Sequence, residues 1–168
     1  MHEPQFKFCP VCGGEFELRL LKPSEPERLV CRSCGYVHYL DPKVAVATIV
    51  VDEEGRLLLV RRAIEPGYGK WVMPGGYVDR GEEVRAAAIR EAREECGLDV
   101  RLERLIDVYS YADRAPVIIV FAATMTGGCV ACDDEGLEAR FFEPGDIPWE
   151  ELAFRSTREA LRDFLGRT

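Results

Sequence analysis

Long apolar runs are missing from this sequence: nowhere do about 18 uncharged apolar residues follow one another, so no segment reads as a membrane-crossing helix. The first residues, Met1 His2 Glu3 Pro4, lack the basic and then apolar pattern of an export signal, and a cytoplasmic location is expected. Basic charge is also short. Lys and Arg number 22 against 30 Asp and Glu, a net charge of -8, which disfavours a surface that grips nucleic acid. An acidic chain that meets phosphate needs cations in between. Internal repeats and low-complexity stretches are absent, and 168 residues leave no room for two full-sized domains: one ordinary core fits, with roughly forty residues over for an appendage.

What is present in excess is cysteine. Seven of them in a chain without an export signal point to metal rather than disulfides. Cys9 and Cys12 make one C-x-x-C pair, Cys31 and Cys34 another, and 18 residues separate the pairs, a spacing suited to a four-thiolate zinc site. Gly13 and Gly35 follow the pairs and permit the tight turns that aim two sulfurs at one ion. Residues 1–40 are too few to bury their own core, so zinc would supply most of their folding free energy. Four thiolates leave no open coordination position, which makes this zinc structural. A third pair, Cys129 and Cys132, lacks the helix N-terminus that activates a redox thiol, and Cys96 reads as a helix-end residue with no role.

Asp41 and Pro42 mark a boundary, and residues 43–168 have a different pattern. The β-branched apolar run 44–51 reads as a strand covered on both faces, and the turn Asp52 Glu53 Glu54 Gly55 returns the chain into a second strand at 56–62. Further strands are expected at 102–111, 117–125 and 138–142. One helix is expected over 82–96, with Asp79 and Glu82 as a capping box and Gly97 as its stop. Another is expected from Ser156, placing Ala160, Leu161, Phe164 and Leu165 on one side before Gly166. The sum is a mixed α/β domain.

Glu91, Glu94 and Glu95 lie at i, i+3 and i+4 on the first helix, so their carboxylates share a face and can reach a common point. A solvated acidic face is the ordinary role of such a helix. Like charges at these spacings nevertheless repel by a few tenths of a kcal/mol per pair, and a hard divalent cation, magnesium or manganese, would offset that.

Gly76, Glu82, Arg90, Glu91, Glu94, Glu95 and Gly97 stand at the spacing of the Nudix box, G-x5-E-x7-R-E-U-x-E-E-x-G-U, with Leu98 as the final bulky residue and Ala92 smaller than the pattern prefers. Seven fixed positions coincide by chance on the order of once in 10^8 to 10^9 trials. The preceding run, Gly69 to Gly76, also resembles the segment before that box. The chain is therefore identified as a member of the Nudix hydrolase family, which implies an α/β/α sandwich with a mixed sheet, here preceded by a zinc ribbon. The resemblance further implies metal-assisted hydrolysis of the diphosphate in a nucleoside diphosphate linked to another moiety, and a homodimer.

By motif position, Glu91, Glu94 and Glu95 would be metal ligands, one of them also able to accept the water's proton. Glu82 and Arg90 would orient these ligands, and Gly75 and Gly76 would let backbone approach metal and phosphates. Relatives complete the site with a distant carboxylate, for which Asp133, Asp134, Glu135 and Glu138 compete and Glu135 is preferred. Arg61 or Arg62 is expected to meet a phosphate. Tyr109, Tyr111 and Phe154 are candidate stacking partners for a flavin or adenine ring, with burial in the core as the alternative, and Trp71 is expected in the core. A ribbon joined to a Nudix domain resembles NADH, FAD and ADP-ribose pyrophosphatases, and the run Ile147 to Phe154 looks most like the FAD group. The remaining alternative is a Nudix-fold sensor that binds a nucleotide without cleaving it. Such sensors commonly lose box glutamates, and all are kept here.

Overall fold

The structure, a computed structural model, describes residues 6–112 and 114–166; the Met1 to Pro4 segment discussed above lies outside them. Residues up to Asp41 form one compact unit and residues from Pro42 onward another.

In the small unit, β1 (Phe16–Arg19), β2 (Arg28–Cys31) and β3 (Val37–His38) make an antiparallel sheet in that order, with Phe16 opposite Cys31. Among its described residues only Cys9, Val30 and Cys31 are buried. Each buried apolar side chain is worth about 1.5–3 kcal/mol, which cannot offset the ordering of some 35 residues at about 1–2 kcal/mol apiece. The four sulfurs must carry the fold.

In the larger unit the strands β4 (Lys43–Val51), β5 (Leu57–Arg62), β6 (Trp71–Val72), β7 (Leu98–Tyr109), β8 (Pro116–Gly128) and β9 (Gly136–Phe142) form a mixed sheet ordered β6-β5-β4-β8-β7, with β9 also pairing β5. β4 and β8 run parallel from Lys43 opposite Pro116 to Val51 opposite Thr124; the remaining pairs are antiparallel. Alternation along β4 sorts its side chains to two faces. Ala47 and Ile49 pack with Leu161 and Ala160 of α2 (Arg155–Gly166), whereas Val46 and Val50 face the layer containing Ala88 and Ala92 of α1 (Val84–Cys96). Helices on both faces of one sheet make the expected sandwich. Phe164 and Leu165 join Ala160 and Leu161 against the α2-side core, as their spacing predicts.

The small Ala92, Ala87 and Ala88 are wholly buried, so a helix lined with them can lie close to the sheet and bring its glutamates with it. α1 starts later than expected. Its N-cap is Glu83 without a side-chain cap, because 79–82 close a separate turn in which the Glu82 N–H donates to the Asp79 carbonyl and the Asp79 N–H donates to Glu82 Oε2, both at 3.0 Å. Half of the capping box thus exists, one turn early. β7 begins four residues before the expected strand, since Gly97 (φ 68°) in the left-handed region ends α1 and sends the chain straight into Leu98. α2 begins at Arg155 and runs through Gly166. The short strand β6 carries too little sequence to be foreseen.

Candidate active site and thiolate cluster

The ligand atoms of Cys9, Cys12, Cys31 and Cys34 all lie within 4.8 Å of one another, with Cys9 to Cys34 at 3.8 Å and Cys12 to Cys31 at 3.5 Å between sulfurs. A tetrahedral ion with bonds near 2.3 Å puts sulfurs about 3.8 Å apart, whereas a disulfide needs about 2.0 Å. The two knuckles are built alike. The Gly13 N–H donates to the Cys9 carbonyl and the Gly35 N–H to the Cys31 carbonyl, closing each turn. Backbone N–H groups of Cys34 and Ser33 favour the Cys31 thiolate, pulling its pKa down to about 6. Four converging thiols and no open position fit a structural zinc.

In the larger unit the loop 74–78 is laid along β4: Thr48 N–H donates to the Pro74 carbonyl, Val46 N–H to Gly76, and Val78 N–H to Val44, at 2.9, 2.9 and 3.0 Å. A Cβ on Gly75 would lie 2.2 Å from the Val46 carbonyl oxygen, and one on Gly76 would lie 2.6 Å from the Glu91 carboxyl. Glycine at 76 is therefore a condition for the carboxylate to reach this spot. Replacing Gly76 by Ala is expected to displace Glu91 and lower kcat by about ten-fold or more while the melting temperature changes little, measured by steady-state hydrolysis and thermal unfolding.

Arg90 is the hub of the glutamate face. Its Nε and Nη2 grip both oxygens of Glu82 at 2.7 and 2.9 Å, Nη1 donates to Glu91 (2.8 Å) and Glu94 (2.9 Å), and Nη2 also reaches the Tyr77 carbonyl at 3.2 Å. This guanidinium holds the Glu82 carboxyl down to about 2. Glu91 and Glu94 are thereby drawn to the nearest cation, and Glu95 stands apart: among the described residues the three do not meet within 4.8 Å of one another as the cysteines do. Arg90 bridges Glu91 and Glu94, while Glu95 turns to the Gly75 N–H.

Glu95 accepts a 2.9 Å hydrogen bond from the Gly75 N–H, and burial pushes its carboxyl up to about 8, with the charges of Glu91, Asp133 and Glu135 adding to the effect. Asp133 and Glu135 thus lie close enough for Glu95 to feel them, although they sit forty residues on in sequence. Glu138 stands opposite Arg61 on the neighbouring strand and 3.8 Å from Arg140. The loop that carries Glu135 is tied down at both ends, by Ala131 N–H to the Cys96 carbonyl (3.0 Å) and by Ala63 N–H to the Glu135 carbonyl (2.7 Å).

Other expected binding residues have partners within the chain. Tyr109 is 7% exposed, lies in the α2-side core and donates its hydroxyl to Asp163 at 2.7 Å, so its ring offers no face for stacking. Tyr111 donates to Glu159 at 2.6 Å beneath the Arg155 guanidinium. The Nε of Arg61 donates to the Gly69 carbonyl, and Arg62 donates to Pro66 while stacking on Phe154. Trp71 is buried edge-on against Phe142. Sequence reading gave no hint of the Gly75 amide as the partner of Glu95, nor of the Tyr77 carbonyl as a brace for Arg90, because backbone groups carry no side-chain signature.

A glutamate-lined helix packed beside a Gly-Gly loop, in an α/β/α sandwich joined to a four-cysteine ribbon, defines a class of nucleotide pyrophosphohydrolases. The NUDIX domain family matches residues 41–164 and the Nudix N-terminal zinc-ribbon family matches residues 7–40. The chain belongs to the Nudix family and is a Nudix hydrolase. It is 37% identical over 164 residues to an ADP-ribose pyrophosphatase of Methanocaldococcus jannaschii, covering 94% of each chain. To an NAD-capped RNA hydrolase NudC of Stutzerimonas stutzeri it is 30% identical, covering 97% of this chain but 57% of that one. Among solved structures, a Nudix hydrolase from Nitrosomonas europaea superposes with a TM-score of 0.91 at 35% identity, over 96% of this chain and 92% of the other. Among the described residues no helix is long and apolar enough to cross a membrane.

Proposed function

We propose that the chain hydrolyses the diphosphate bridge of a compound in which ADP is joined to a second moiety, releasing AMP. The observation that carries this is Glu95: a mostly buried carboxylate with one N–H donor, surrounded by further carboxylates, on the box helix of a Nudix domain. An all-oxygen set of this kind suits magnesium or manganese, with Glu91, Glu94 and Glu95 as ligands and Glu135 completing them from the far loop. When bound, the ion lowers the proton affinity of the attacking water and neutralises the phosphates. The residues do the rest. Arg90, held by Glu82, orients Glu91 and Glu94; the 75–76 backbone admits the phosphates closely; and Glu95, with its raised pKa, is suited to holding a proton near neutral pH. Zinc in the thiolate cluster is structural, and the assembly is a homodimer working in the cytoplasm.

For the second moiety, FAD is the substrate favoured by the run Ile147 to Phe154, giving FMN and AMP. ADP-ribose is the second reading, favoured by the name of the Methanocaldococcus jannaschii relative. The two share the ADP half. Product analysis on FAD, ADP-ribose, NADH, NAD and oxidised nucleoside triphosphates, with magnesium and with manganese, is expected to show AMP from FAD at the highest kcat/KM. AMP from ADP-ribose alone would move the assignment to the second reading, and a failure to form AMP from any of them would sink both.

A further inference from the structure

Loop 63–69 between β5 and β6 is braced far beyond what a surface connection needs. Gly69 N–H donates to the Arg62 carbonyl (2.8 Å) and Arg62 N–H to Lys70 (2.9 Å), closing its base. Arg61 Nε donates to Gly69 and Arg62 Nε to Pro66, both at 2.9 Å, and Gly67 N–H donates to Glu65 Oε2 at 2.8 Å. The Arg62 guanidinium is itself stacked on Phe154, and a Cβ on Gly67 would lie 3.0 Å from that of Ala153, so the loop is packed as well as hydrogen-bonded.

At its tip, between Gly67 (φ 88°) and Gly69 (φ 74°), stands Tyr68, 59% exposed. Every other aromatic side chain among the described residues from Pro42 onward has a ring, a guanidinium, an ammonium or a carboxylate against it. Tyr68 alone has none. The ring has no part in the core and is held on a hydrogen-bonded loop, so its face is free to meet something outside the chain.

Its place says what. Ala63, at the foot of the loop, is bonded to the carbonyl of Glu135, and Glu135 lies within the field felt by Glu95. Tyr68 follows Ala63 by five residues, so its backbone lies at most about 18 Å from that point. We infer that Tyr68 is a stacking platform for a planar ring of the substrate, a nucleobase or a flavin. Arg61 and Arg62, expected to meet phosphate, serve substrate by holding this platform. The inference rests on the proposed diphosphate hydrolysis and names the part of the site that selects for a ring.

The test compares wild-type protein, Tyr68→Ala and Tyr68→Phe. For FAD and ADP-ribose hydrolysis, Tyr68→Ala is expected to raise the KM of at least one substrate by about ten-fold with kcat within about three-fold, and Tyr68→Phe to match wild type, since stacking needs the ring and not the hydroxyl. Inhibition by inorganic pyrophosphate, which has no ring, is expected to be equal in all three. Equilibrium dialysis of AMP and of FMN gives a readout independent of turnover: at least one is expected to bind Tyr68→Ala about ten-fold more weakly. Equal KM values and equal AMP and FMN binding in Tyr68→Ala overturn the platform while leaving the hydrolase reading intact. Wild-type protein that binds a ring through Tyr68 yet forms no AMP overturns the hydrolase reading and leaves the platform standing.

Discussion

Glu95→Gln protein is expected to lose turnover by at least about 100-fold and yet, freed of metal, to melt at a higher temperature than wild type at pH 9. The loss follows from its proposed place as a metal ligand: removing groups that merely orient ligands already costs 10- to 100-fold. The gain follows from the carboxyl's raised pKa. Its folded value is about 8 against an ordinary 4.5, so the native state binds the proton better than the unfolded chain does. That stabilisation is whole below about pH 4.5 and is lost as the pH climbs through 8, where a charge must be held in a buried place. Glutamine never ionises and still accepts the Gly75 N–H, so its melting temperature is expected to lack this downward drift. Thermal unfolding of both proteins at pH 6 and pH 9 in chelator measures it; equal drifts would show that Glu95 does not titrate there. For the same reason manganese affinity is expected to rise with pH up to about 8, by at most roughly ten-fold per unit, as metal ceases to compete with that proton.

The second large effect concerns the ribbon. Cys31→Ser is expected to reduce zinc from one per chain to a trace by elemental analysis and to open residues 7–40 to protease, while residues 42–168 persist as a resistant fragment. A structural zinc in a small module is worth on the order of 10 kcal/mol, against three buried residues at about 1.5–3 kcal/mol each. Cys31 is also itself buried, so serine there loses packing too; an exposed ligand, Cys34→Ser, separates the two causes and is expected to give the same loss of zinc. A zinc-free Cys34→Ser protein whose ribbon resists protease like wild type would show that the metal does not hold it.

Legibility in the sequence followed the range of the interaction. The cysteine pairs and the box are defined by spacing within one turn or one helix, and the convergence of the four sulfurs and the face shared by the glutamates follow from that spacing. The strand β4, apolar on both faces, was equally plain. What escaped depended on partners remote in sequence or on backbone. Tyr109 reads as either a stacking partner or a core residue until Asp163, 54 residues later, takes its hydroxyl and decides for the core. Arg61 or Arg62 reads as a cation for a phosphate, and the sequence does not show that the loop folds back and presents a carbonyl to the Nε of each. The turn at 79–82 looks like a helix start because the same residues make the same reciprocal bond in either setting.

The guanidinium at the centre of the glutamate face has a physiological corollary. Because Arg90 donates to Glu82, Glu91 and Glu94 together, one positive charge serves three negative ones. If the proposed dication supplies the balance, the helix face need not come apart when that ion is scarce, and turnover is expected to follow the free dication level.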